Sequence, residues 1–264
     1  MNKSFNHNHP YHMVTNSPWP LLSSFSLMML LSGSVMFFHE KNINLMMLGL
    51  ISLLMCMFQW WRDVIRESTF QGMHNSFIMK LLRLGMILFI ISEIFFFLSL
   101  FWTFFHMSLS PSIEIGSKWP PKMIKIFDPY SIPLLNTIVL LSSGISITWT
   151  HYSLINYNKK NSLFSLYLTI FLGMYFTLLQ YLEYKEASFT ISDSVYGSIF
   201  FLLTGFHGIH VIIGTLFIII SLIRINFNHF SNNHHFGFEA SAWYWHFVDV
   251  VWLFVYSFIY WWTY

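Results

Sequence analysis

Seven long apolar segments dominate this sequence of 264 residues. A helix needs about 20 apolar residues to cross the hydrocarbon core of a bilayer, and each segment is close to or above that length. Only 9% of the residues are charged, whereas soluble domains average about 25%. The sequence therefore excludes an ordinary water-soluble globule and predicts an all-α integral membrane protein with seven transmembrane helices. The segments cover about 19–38, 43–61, 77–106, 132–152, 163–184, 195–225 and 238–262.

The segments between these helices are short and contain no soluble domain. The second helix is expected to continue into the sequence "RDVIRES", and the proline-rich segment 108–131 is predicted to be a loop. We divide the chain into residues 1–70, with the first two helices, and residues 71–264, with helices three to seven. The two parts are expected to work as one membrane domain.

The charges predict an orientation but no nucleic-acid partner, since the formal net charge is only +2. In a seven-helix topology, eight Lys and Arg residues fall on the side of the N-terminus and five on the other side. Positive charge collects on the inner side of membranes, which predicts an inner N-terminus and an outer C-terminus. The inner set is Lys3, Arg62, Arg66, Lys80, Arg83, Lys159, Lys160 and Arg224.

Glu93 lies inside the third apolar segment, in the sequence "GMILFIISEIFFF". A carboxylate at membrane depth is costly, so it needs a proton, a buried partner or a function. A proton carrier and a structural, hydrogen-bonded acid are both open from the residue alone.

His207 and His210 lie three residues apart in the sixth segment. Intramembrane histidines can ligate haem or metal, or they can hydrogen-bond to neighbouring helices. A di-haem b-type cytochrome would require a matched pair on a second helix, which the sequence lacks, and it predicts Soret absorbance from the isolated chain. The single Cys56 offers neither a disulfide nor a thiolate metal site.

The seventh segment carries three ionisable residues on one side of its helix, at offsets of seven and ten: Glu239, His246 and Asp249. Such a face is expected to turn towards protein or a polar cleft. A proton path and an interhelical polar network are the two interpretations, with pairing to His207 or His210 expected.

The second segment ends in "QWWRDVIRESTFQGMH". Arg62 and Arg66 are four residues apart, as are Asp63 and Glu67, and His74 follows shortly after them. Paired arginines beside interfacial tryptophans suit a phospholipid headgroup, while the same spacing suits a self-paired, solvated helix end.

Long blocks in order along nearly the whole chain resemble the mitochondrial cytochrome c oxidase subunit III family. They include "YHMVTNSPWPL", "QWWRDVIRESTFQG", "GMILFIISEIFFF", "PLLNTIVLLSSGISITWTH", "TGFHGIHVIIGT" and "NHHFGFEASAWYWHFVDVVWLFVYSFIYWW". The resemblance implies a two-helix and a five-helix bundle separated by a lipid-filled V-shaped cleft. It also implies an N-terminus in the matrix and a C-terminus in the intermembrane space of the mitochondrial inner membrane.

The resemblance further implies a core subunit without redox centres, catalytic residues or a metal. The expected partners are oxidase subunit I by direct packing, subunit II, smaller subunits and, in some membranes, a respiratory supercomplex. Haem and copper are expected in the partner subunits, and bound phospholipids in this one. The implied enzyme oxidises cytochrome c, reduces oxygen and pumps protons, while this subunit supports sustained turnover and guides oxygen entry.

Residue by residue, Glu93 matches the family's carbodiimide-reactive buried carboxylate, so we expect it to be protonated and hydrogen-bonded within the bundle. Positions near family headgroups match Trp61, Arg66, Glu67 and His74, with Arg83 and Arg224 as further candidates. His207, His210 and Asp249 also match family positions, to which no metal is assigned. The alternative from another class is a stand-alone transporter or proton channel that uses Glu93 and the acidic face of the seventh helix.

Overall fold

The structure is a computed structural model that describes residues 9–122 and 124–264. Lys3, which the orientation argument counts, lies outside the described residues. The described part is helical, and seven of its helices are long and apolar enough to span a membrane, which confirms the predicted fold class. They are α1 (Trp19–Glu40), α2 (Asn44–Thr69), α3 (Ser76–Leu109), α4 (Ile132–Ile155), α5 (Lys159–Glu186), α6 (Val195–Asn226) and α7 (Phe236–Val255).

Local sequence signals explain several helix ends. Pro20 and Pro133 stand in the first turns of α1 and α4, where a missing N–H costs nothing. The side chains of Asn158 and Ser194 cap α5 and α6 by accepting from Asn161 and Gly197. Helix α2 does continue to Thr69, as predicted. After α3, the described loop residues contain one short 3₁₀ turn, Ile113–Ile115, and α7 continues as a π-helical turn over Tyr256–Trp261.

The chain forms two compact units, Met1–Leu82 and Arg83–Tyr264, and the first is described from residue 9 onward. In this first unit α1 packs along α2. Gly33 lies against the backbone of Met46, and Gly49 lies against the backbone of Leu30, closer in each case than an added Cβ would allow. These glycines therefore let the two helices touch main chain to main chain, as small residues do in membrane helix pairs.

In the second unit α4, α5, α6 and α7 pack in sequence, and α4 also packs on α7. Trp245 lies at the centre and is fully buried. A Cβ added at Gly173 or Gly214 would lie 2.8 or 2.9 Å from its ring, and its indole N–H donates to Ser143 Oγ at 2.9 Å. The tryptophan thus fills space that two glycines leave open.

Helix α3 joins the second unit through large aromatic side chains. The ring of Phe97 lies 4.9 Å from that of His210, and the ring of Phe101 lies 5.6 Å from that of Phe258. Between α4 and α5 the contact is made instead by small hydroxyls, since Ser146 bonds Thr169 and Thr150 bonds Ser165, both at 2.7 Å. The predicted division after residue 70 stays a prediction.

Candidate functional site

Glu93 is hydrogen-bonded inside the second unit. Its Oε2 lies 3.0 Å from His210 Nε2, and His210 Nδ1 donates to the carbonyl of Phe206 at 2.7 Å. Since Nδ1 holds its own hydrogen, the bond to Glu93 needs one further proton, on either the carboxyl or Nε2. The pair then has zero net charge in both arrangements, which avoids the cost of an isolated carboxylate at this depth. The expected hydrogen bond within the bundle is present.

Glu239, near the start of α7, pairs with Arg83 of α3. Arg83 Nε donates to Oε2 at 2.8 Å and Nη2 donates to Oε1 at 3.0 Å, which is a bidentate guanidinium–carboxylate pair. His235 Nε2 lies 3.4 Å from Oε1 of the same carboxylate. Three charged or polar groups therefore meet at this end of α7.

The predicted pairing of the α7 acids with His207 or His210 is wrong for the described residues. His207 is buried, and its Nε2 donates to the carbonyl of Val248 at 3.2 Å. Asp249 and His246 instead approach each other at 3.8 Å beside Gly144 of α4. Offsets of seven and ten give a common side of the helix, but α7 borders three other helices, so residues at different heights meet different neighbours.

The end of α2 holds a cluster in which Asp63 is the common acceptor. Trp19 Nε1 donates to its carboxylate at 2.7 Å and Arg62 Nη2 donates at 3.1 Å, while Arg66 Nη1 lies at 3.5 Å. The side chain of Arg66 is 53% exposed, and Trp61 is exposed as well. The charged side chains at this helix end therefore do pair with one another, but about half of the Arg66 side chain stays exposed to solvent or lipid.

Glu67 and His74 meet a residue that the spacing argument missed. Glu67 Oε2 lies 3.1 Å from His12 Nε2, and the rings of His12 and His74 are 5.7 Å apart. His12 stands in the N-terminal segment "YHMV", 55 positions before Glu67, so no local pattern could connect them.

Arg224 lies near the end of α6 with its guanidinium 4.2 Å from the centre of the Phe230 ring. His229 lies close to Arg224, because its backbone N–H donates to the backbone carbonyl of Arg224 at 2.9 Å. Partial burial, followed by the positive charge of Arg224, holds the pKa of His229 below its usual value.

Two groups in the described residues could hold a metal ion by the placement of their ligand atoms: His12 with Glu67 and His74, and His151 with His235 and Glu239. No role was predicted from the sequence for three of these histidines: His12, His151 and His235. A further missed group is buried: Glu183 is 1% exposed beside Gln180 and Tyr260. Histidines near the ends of apolar segments were the available signal for the second metal group.

These features define a polytopic membrane protein with seven spanning helices, several of which carry paired ionisable groups. The model of the family "Cytochrome c oxidase subunit III" matches residues 9–264. Relatives named cytochrome c oxidase subunit 3 include those of Locusta migratoria, 60% identical over 97% of this chain and 98% of the relative, and Ornithorhynchus anatinus, 59% identical over 96% and 97%. That of Equus asinus is 60% identical over 96% and 97%.

The chain belongs to the cytochrome c oxidase subunit III family. It is a non-redox subunit of the terminal respiratory oxidase, the enzyme complex to which the family contributes. The predicted membership is confirmed, and a stand-alone transporter or channel is not favoured.

Proposed function

We propose that this subunit organises phospholipids beside the catalytic part of the oxidase and thereby sustains its turnover. The observation that carries the proposal is Arg66, half exposed at the end of an apolar helix. Its one ion-pair contact in the described residues is the long 3.5 Å approach to Asp63, whose carboxylate Trp19 and Arg62 already engage. A phosphate could therefore take the free donors of this guanidinium without breaking a strong bond.

The surroundings of Arg66 support a lipid rather than a soluble anion. Trp61 lies five residues earlier on α2 and is exposed. Exposed tryptophans are typical of the membrane–water interface, where phospholipid headgroups lie. Most of the apolar surface of α1 and α2 is also exposed within the chain. A headgroup at Arg66 would place acyl chains along this apolar surface.

The other proposed headgroup residues differ from Arg66 in the contacts that they already make within the chain. Glu67 and His74 lie in the cluster with His12, where they would orient a headgroup by hydrogen bonds. Arg83 is already held by Glu239, and Arg224 stacks on Phe230. We therefore expect these two arginines to contribute less than Arg66.

Arg66→Ala in the assembled oxidase is expected to weaken binding of anionic phospholipid by roughly tenfold or more, since a hydrogen bond to a charged group contributes about 1.5–3 kcal/mol. Lipid retained per complex is measured by mass spectrometry, and the number of turnovers before inactivation is measured in parallel. Turnover lifetime should shorten while haem content is unchanged.

Arg66→Lys is the matched control, because it keeps the charge and loses the two-pronged geometry. It should lie between the wild type and Arg66→Ala. Equal lipid content and equal turnover lifetime in all three proteins would contradict the proposal.

The proposed setting is the mitochondrial inner membrane, with direct packing on subunit I, contacts to subunit II and smaller subunits, and haem and copper held by those partners. In some membranes the complex would join a respiratory supercomplex. Lipid bound at this subunit would give oxygen an apolar route towards subunit I. Native mass spectrometry of the solubilised membrane tests the assembly, since migration apart from haem-bearing subunits would contradict it.

The proposed orientation places the N-terminus in the matrix and the C-terminus in the intermembrane space. Cys56, the single cysteine of the sequence, is buried, so one introduced cysteine can report its own side. Lys159→Cys should react with an impermeant thiol reagent only from the matrix side, and Lys118→Cys only from the other. The reverse labelling pattern would overturn the orientation.

A further inference from the structure

The end of α4 and the beginning of α7 bring together three side chains that the lipid proposal does not use as a group. His151 lies one turn before the end of α4, His235 immediately precedes α7, and Glu239 lies in its first turn. The Nε2 atoms of the two histidines are 3.3 Å apart, and His235 Nε2 is 3.4 Å from Glu239 Oε1. We propose that these three residues form a binding site for a divalent transition-metal ion of the zinc class.

Two of the three distances between the ligand atoms fit a bound zinc ion. A tetrahedral zinc ion with bonds of about 2.0–2.2 Å separates neighbouring ligand atoms by roughly 3.3–3.6 Å. Both measured separations, 3.3 and 3.4 Å, fall in this interval. The third pair, between His151 and the carboxylate of Glu239, lies within 4.8 Å, so binding of a cation would require only that these two side chains move closer together.

The tautomer of His235 also fits. Its Nδ1 lies 3.0 Å from the carbonyl oxygen of Ser231, which can only accept, so Nδ1 carries the hydrogen. In the neutral ring the lone pair is then on Nε2, which faces His151 and the carboxylate. Zinc-bound histidines are oriented by this kind of hydrogen bond from the second ring nitrogen to a carbonyl.

Arg83 holds the carboxylate in place but also limits the affinity. Its bidentate bond fixes both oxygens of Glu239, and Oε1 retains a further lone pair for a metal. The guanidinium charge opposes a divalent ion close by. The site is therefore one that fills reversibly as the metal concentration rises, in contrast to a permanently occupied structural centre.

The exposure of the two histidines and the number of protein ligands are both consistent with a zinc ion that binds and leaves reversibly. His235 is 5% exposed, whereas His151 is partly exposed and marks the direction of entry. Three protein ligands leave a fourth tetrahedral position for water. A bound ion would connect α4 to α7 directly and to α3 through Arg83.

The test uses the purified oxidase that contains this chain. Zinc chloride is added in chelator-free buffer, and carbethoxylation of each histidine is followed by mass spectrometry. Saturating zinc should lower the modification rates of His151 and His235 about tenfold, and magnesium, which prefers oxygen ligands, should not. Anomalous scattering at the zinc edge should place one ion between the three side chains.

His235→Asn and, from the other helix, His151→Gln should each lose one bound zinc per complex together with the protection of the remaining histidine. His39→Asn is the control, because His39 is an exposed histidine outside both metal groups. Unchanged modification rates in zinc, or an anomalous peak only elsewhere, such as beside His12, would overturn the proposal. So would equal zinc content in the His235→Asn and wild-type complexes.

Discussion

Trp245→Ala is expected to lower the free energy of unfolding of the chain by about 3–5 kcal/mol, the usual cost of truncating a buried aromatic residue. The ring is fully buried, and the residues facing it are Gly173 and Gly214, which have no side chains to fill the space. The change also removes the donor to Ser143 Oγ. The loss of helicity during denaturation of the purified subunit in mixed micelles measures the effect.

Trp102→Ala is the control for this substitution, because Trp102 is 72% exposed in the chain. It should change the free energy of unfolding by less than about 1 kcal/mol, in line with other exposed positions. If the two alanine variants were destabilised equally, Trp245 would not be the centre of the second unit.

Gly33→Leu is expected to force α1 away from α2 and to destabilise the first unit by about 3 kcal/mol, at the upper end of the cost of overpacking. The new side chain would meet the backbone of Met46, which cannot rotate away as a flexible side chain could. The measurement is the reactivity of Cys56 on α2 towards a thiol reagent, because Cys56 is buried and should react faster once the pair separates.

Gly85→Leu provides the matched control for the glycine. Gly85 lies within α3, and a Cβ there would have no heavy atom within 4 Å. Removing a helical glycine at an open position should be neutral or slightly stabilising, by about 0.5–1 kcal/mol. Faster reaction of Cys56 in both variants would show that the helix contact at Gly33 is not the cause.

The helices could be predicted because their signal is local. An apolar run of sufficient length specifies a spanning helix without reference to any neighbour, and all seven segments appear as helices. Helix α2 continues beyond the apolar run to Thr69, in agreement with the expected extension into "RDVIRES". The ends of the helices follow less directly from the apolar runs, since α3 reaches Leu109, which lies inside the segment 108–131 predicted to be a loop.

The side-chain pairs could not be predicted to the same degree. Glu93 required a partner, but periodicity does not say whether α6 or α7 faces α3, and the partner proved to be His210. Likewise the helical spacing turns Glu239 towards protein or a polar cleft, but it gives no sign of a guanidinium partner 156 residues away along the sequence. Such pairs depend on helix rotation and height, which large aromatic contacts between α3 and its neighbours set.

The pairings of α3 have a consequence for the order in which the protein is made. Arg83 precedes Glu239 by 156 residues, and Glu93 precedes His210 by 117. A ribosome therefore completes α3 while both partners are still unmade, and unpaired ionisable groups are costly in lipid. During synthesis we therefore expect Glu93 to carry a proton and Arg83, near the start of α3, to extend towards water or headgroups, until α6 and α7 supply the partners of these two side chains.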